Sequence, residues 1–172
     1  MTLTRLLLSI LLVLAVAQGA SAQGMLVAST GRVFGGDTQT SSGTYAIAIG
    51  GGGAHSIGSE LEFAHANHFT DLNGNESKVL SLMASVFVAI PAGPIRPYGI
   101  FGFGFIRQRT EASTGSALSN LSNDDVGYSA GGGVTYKFSK AVGVRADLRH
   151  FKVRTADGLS FQRLMVGIVL GG

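Results

Sequence analysis

An alternation with a period of two restricts this chain more than any other feature. Over 126–138, Val126, Tyr128, Ala130, Val134, Tyr136 and Phe138 share one parity, and Gly127, Ser129, Gly131, Gly133, Thr135 and Lys137 share the other. Successive strand side chains point to opposite faces, so such a segment has one continuous apolar face and one small, polar face. The pattern recurs over 78–90, where Leu80, Leu82, Ala84, Val86, Val88 and Ile90 oppose Ser81, Met83, Ser85 and Ala89. Over 160–170, Leu164, Val166, Ile168 and Leu170 oppose Arg163, Met165 and Gly167. Tyr45, Ile47 and Ile49 oppose Ala46, Ala48 and Gly50, and Phe101, Phe103 and Phe105 oppose Gly102 and Gly104. No window sustains a helical period, so past its first residues the chain is expected to be all β.

The blocks predict eight strands, near 25–35, 44–54, 58–66, 77–90, 95–107, 125–138, 141–153 and 160–170. The connections alternate in length. Short turns fall at 55–57, at Pro91-Ala92-Gly93-Pro94 and at 139–140, and longer polar loops at 36–43, 67–76, 108–124 and 154–159. An even number of antiparallel strands of about ten residues, with short turns at one end and long loops at the other, is the layout of an outer-membrane barrel. The expected fold is therefore an eight-stranded, up-and-down, antiparallel transmembrane β-barrel. Its first strand has the weakest contrast, with Thr30 and Arg32 opposite Val27, Gly31 and Val33.

Composition agrees. Only 13% of the 172 residues are charged and 45% are hydrophobic, whereas soluble domains carry about 25% charged residues. The 26 glycines accompany only 3 prolines, with no collagen triplet and no Ser/Gly linker, so they serve close packing in ordered structure. No basic run points to nucleic acid. With no cysteine, disulfides, thiol catalysis and Cys-ligated zinc are excluded. At the N-terminus, Arg5, the apolar run Leu6 to Ala17 and the small-residue pattern Ala20-Ser21-Ala22 predict a cleaved signal peptide over 1–22 and a barrel domain over 23–172. The apolar run is shorter than the ~20 residues of a spanning helix.

Two barrels have eight strands. A soluble lipocalin-like barrel turns its aliphatic face inward around a ligand, and a membrane barrel does the reverse. Gly, Ala and Ser crowd the polar parity, which suits a narrow concave wall, and that parity is too poor in charge for a solvated exterior. The membrane reading then explains Ala141 to Phe151, AVGVRADLRHF, where Arg145, Asp147 and Arg149 alternate with Val144, Ala146 and Leu148. Glu60 and Glu62 oppose Leu61 and Phe63 in the same way. These five, with Arg163, are expected in the lumen as a structural charge network of three guanidiniums and three carboxylates that plugs the barrel.

IGSELEFAH (57–65), IRPYGIFGFGF (95–105), DVGYSAGGGVTYKFS (125–139) and VGVRADLRHF (142–151) resemble strands of the small bacterial outer-membrane barrels, the porin-family group that includes the opacity-type and OmpA-like transmembrane barrels. The resemblance spans the chain after the signal peptide. It implies residence in the bacterial outer membrane, contact with its lipid and lipopolysaccharide, and periplasmic chaperones and the barrel-assembly machinery as partners in biogenesis. The expected role is structural or surface-interacting, in a narrow porin-like barrel whose lumen the charge network largely plugs. Members of the group usually finish on an aromatic residue, whereas this sequence ends LMVGIVLGG.

Of the alternatives, a lipid-modifying enzyme on the same scaffold requires a nucleophile beside a base. His150 is followed by Phe151-Lys152-Val153, and His65 and His68 lie in HANH beside no nucleophile; no catalytic residue is assigned. The two histidines of HANH are read as loop-edge residues and not as metal ligands. Arg96 and Tyr98 are read as a strand end with an interfacial aromatic, in preference to a ligand contact. Gly50 to Gly53 is no phosphate loop, because no Lys-Ser/Thr pair follows. No cofactor is expected. An extracellular ligand, if bound, is expected at the polar loop 108–125.

Overall fold

The computed structural model describes residues 23–36, 41–52, 56–70, 76–110, 122–154 and 160–171. They form eight strands: β1 (Gln23–Phe34), β2 (Ser42–Gly52), β3 (Ile57–Thr70), β4 (Glu76–Ala89), β5 (Ile95–Thr110), β6 (Ser122–Lys137), β7 (Val142–Val153) and β8 (Ser160–Gly171). Each pairs antiparallel with its sequence neighbours, and β8 returns to β1 to close the barrel. The sheet therefore has no free edge to recruit another chain.

Register fixes the tilt. Cross-strand partners lead from Gly24 through Gly51, Ser59, Val86, Phe101, Ala130, His150 and Gln162 back to β1 at Phe34. One circuit thus shifts the register by 34 − 24 = 10 residues. A shear of this size on eight strands gives a narrow barrel with an interior only wide enough for side chains.

Each sequence-predicted strand is present, and most ends agree within about two residues. The exceptions lengthen strands at the loop-bearing end. β3 runs on to Thr70 across an irregularity between Ala66 and Phe69. HANH is thus within a strand and not at a loop edge. β5 continues to Thr110 and β6 begins at Ser122, paired as Arg109↔Ser122. Residues 108–110 and 122–125 of the expected loop therefore belong to the wall, because backbone pairing extends the ladder through polar residues that lack an apolar signal. Residues 111–121 and the signal peptide 1–22 lie outside the described residues.

The aliphatic parity faces out on every strand where it is clear. Tyr45, Ile47 and Ile49, Phe101 and Phe103, and Leu164, Val166, Ile168 and Leu170 are all exposed. The matching inward positions, including Ala46, Ala48, Ser85, Ser129 and Met165, are buried. This is the reverse of the lipocalin arrangement. β1 resolves against its weak pattern: Val27 and Val33 face in, while Leu26 and Arg32 are exposed on the outside.

Candidate functional site: the filled lumen

The inward parity of β3, β7 and β8 brings the charged residues together. Glu60, Glu62, Arg145, Asp147, Arg149 and Arg163 are all buried, none more than 6% exposed. Arg145 binds Glu60 with both terminal nitrogens, Nη1 donating to Oε2 at 2.6 Å and Nη2 to Oε1 at 3.3 Å. Its Nε donates to Asp147 Oδ2 at 3.0 Å. Arg149 bridges both carboxylates, Nη2 donating to Glu60 Oε1 at 2.8 Å and Nε to Asp147 Oδ1 at 2.9 Å. Nη2 also lies 3.4 Å from Glu62 Oε2. Arg163 Nη2 completes the chain on Glu62 Oε1. All six sequence-predicted residues thus join one network, three cations against three anions, with the forked donors of arginine matched to carboxylate oxygens.

Local geometry makes room for these side chains. Glu60 stands across from Gly50, Arg149 from Gly131, Asp147 from Gly133 and Arg145 from Gly167. A Cβ at Gly131 would lie 2.2 Å from the Leu148 carbonyl oxygen, and one at Gly133 would lie 2.4 Å from that of Ala146. The glycines of the polar parity therefore let neighbouring backbone approach beneath the long ionic side chains.

Tyr98 corrects the sequence reading. It is not an interfacial aromatic; it is buried in the lumen, where its hydroxyl donates to Asp147 Oδ2 at 3.0 Å and accepts from Arg145 Nε at 2.5 Å. The Arg145 guanidinium also lies 4.6 Å from the ring centroid, close enough for a cation–π contact. Parity carried the signal: Tyr98 is in step with Gly102 and Gly104, opposite the outward Phe101 and Phe103. Arg96, on the same parity, is exposed at the turn-bearing end and joins no described contact of the network.

A second layer fills the lumen at the loop-bearing end: Val33, Ala66, Val79, Met83, Ile106, Phe151, Val153 and Phe161. Phe151 and Phe161 stack with centroids 4.9 Å apart. Arg163 lies 4.6 Å from the Phe151 centroid and so links this layer to the ionic one. A smaller group, Val27, Ala48 and Val169, lies towards the other end. Beside the ionic layer are cavities of about 10 Å³, one lined by Arg149 and another by Arg163. Their buried Arg149 Nη1 and Arg163 Nε have no protein acceptor, and space of that size admits a single water. Elsewhere, His150 is exposed on the outer face, and His65, half-buried, shares the outward parity of β3.

A closed eight-stranded barrel has counterparts among known proteins. The family model described as the outer membrane protein beta-barrel domain matches residues 5–170. The chain belongs to that family. No curated protein matches it significantly in sequence. Solved structures share the fold. Neisserial surface protein A is 14% identical, with 88% of this chain and 97% of that one covered at a TM-score of 0.66. Ail, the attachment invasion locus protein of Yersinia pestis, crystallised with the heparin analogue sucrose octasulfate, is 15% identical over 87% and 98% at 0.59. The N-terminal β-barrel domain of Pseudomonas aeruginosa OprF is 19% identical over 87% and 98% at 0.55. The protein is thus a small transmembrane barrel of the bacterial outer membrane, with a buried ionic network in its interior.

Proposed function

We propose that this barrel is a structural and surface-interacting protein of the outer membrane and neither an enzyme nor an open pore. The long-connection end faces outwards and both ends of the barrel domain face the periplasm. The observation that carries this reading is the filled lumen. The six ionic side chains and Tyr98 close the middle, the Phe151–Phe161 stack lies above them, and the cavities beside the network are water-sized. An ion entering this interior would have to displace arginine–carboxylate contacts in a low-dielectric space. Charged groups held this tightly to one another are also poorly placed to act on a substrate. His150, the histidine nearest the network in sequence, points away from it, with Ala130 and Gln162 as its cross-strand neighbours. Binding roles then fall to the outward connections, since loops on a rigid scaffold are where recognition concentrates.

Single-channel recording of the folded protein in planar bilayers tests the plug. Rare or very small current steps are expected. A large, steady, water-filled conductance would overturn the reading.

A further inference from the structure

The outer surface holds a polar sector that neither the lumen nor the fold accounts for. On β7, the outward residues pass from Val144 and Leu148 to His150 and Lys152, with Arg154 following the strand, and all are exposed. On β8 they pass from Val166 and Leu164 to Gln162, and on β1 from Leu26 to Arg32. The register joins these positions. His150 pairs with Gln162, and Leu164 with both Leu148 and Arg32. A shift of ten residues in eight strands changes the level by about 1.25 residues per strand. Arg32 and His150, two strands apart, therefore stand at the same height, and Lys152 stands just above. At about 4.8 Å per strand, the separation of Arg32 and His150 is roughly 10 Å.

No carboxylate faces outward on these three strands: β1 and β8 contain none, and Asp147 of β7 points into the lumen. Among the described residues, Arg32, Lys152 and Arg154 have no ion-pair partner. Cations spaced laterally at the upper edge of a hydrocarbon belt, with hydrogen-bond donors between them, match anionic headgroups whose acyl chains lie against the belt below.

We propose that Arg32, Lys152 and Arg154, with His150 and Gln162 between them, form a lateral site on β7–β8–β1 for the phosphate groups of lipid A in the outer leaflet. The acyl chains lie over Leu148, Leu164 and Val166. Phosphates borne at the two ends of one disaccharide suit cations spread across three strands better than a single phosphodiester does. The site rests on the orientation given above, with the long connections outward.

The test is binding of lipid A to the folded protein in detergent, followed by native mass spectrometry beside dephosphorylated lipid A and phosphatidylglycerol. Replacing Arg32, Lys152 and Arg154 with Gln together is expected to weaken lipid A about a hundredfold, roughly fivefold per cation, and to leave dephosphorylated lipid A unchanged. The control replaces Arg96, Lys137 and Lys140 at the turn-bearing end with Gln, an equal loss of charge, and is expected to leave binding intact. Equal losses in the two triple variants, or binding of lipid A no tighter than that of phosphatidylglycerol, would overturn the site. Detergent has no sidedness, so these outcomes judge the site alone. Orientation is judged separately, by labelling Lys152→Cys in intact cells with an impermeant maleimide.

Discussion

The ionic layer and the apolar layer above it fill one lumen and share three strands, β3, β7 and β8. β7 supplies Arg145, Asp147 and Arg149 to the first and Phe151 and Val153 to the second. They differ in how contacts depend on one another. In the ionic layer Glu60 serves both Arg145 and Arg149, and Asp147 serves both from the other side. Losing one member leaves others charged, buried and short of a partner. In the apolar layer each contact is short-ranged, and a missing methyl group costs only its own packing and the space it leaves. The ionic layer also needs glycine across the strand at four positions, whereas Phe151 stands opposite Ser129 and Phe161. The first layer is thus a register device that tolerates little change; the second is a filler that can adjust.

Removing one ionic partner should produce the largest effect. Glu60→Ala is expected to destabilise the barrel by about 3–5 kcal/mol, read as a lower urea midpoint for protein folded into lipid vesicles. Removing a matched pair should cost much less. Glu60→Met with Arg145→Met leaves Glu62 and Asp147 to balance Arg149 and Arg163, and most of the single-variant loss should return. A double variant as unstable as Glu60→Ala would erase the distinction between the layers.

Smaller effects should follow in the apolar layer. Phe151→Leu shortens the stack on Phe161 and removes the ring beneath Arg163; about 2 kcal/mol is expected in the same titration. Met83→Leu, fully buried in that layer, conserves volume and should cost less than about 1.5 kcal/mol. A Met83→Leu loss equal to that of Glu60→Ala would mean that the filler is as exacting as the network.

Much of this is legible in the sequence. Parity alone located the six ionic residues on the inner wall, because the side-chain period of a strand is two and a slip of one residue would exchange the faces. The same rule applied to Tyr98 would have put it in the lumen, but proximity to the Pro91–Pro94 turn suggested an interfacial position. Phe151, Val153 and Phe161 also continue the inward parity of Arg149 and Arg163. They were obscured because an apolar side chain on the inner face of a membrane barrel resembles one on the outer face when polarity is the only guide. β1 was ambiguous for the same reason, with valines inside and Arg32 outside.

By itself, then, the sequence determined the strand count, the alternation of faces, the eight-stranded closed form and the identity of the charges inside it, since all of these follow from a local period and the spacing of turns. Only the tertiary structure decided which charge meets which. Glu60 reaches Arg145 and Arg149, at sequence separations of 85 and 89, because closure sets β3 and β7 four strands apart on facing walls and the ten-residue shear brings these residues level across the lumen. It likewise decided that Tyr98 enters the network, that the Phe151 ring lies against Arg163, and that Arg32 stands level with His150 on the outer wall. These are contacts between strands remote in sequence, set by the closure of the sheet, and no local pattern encodes them.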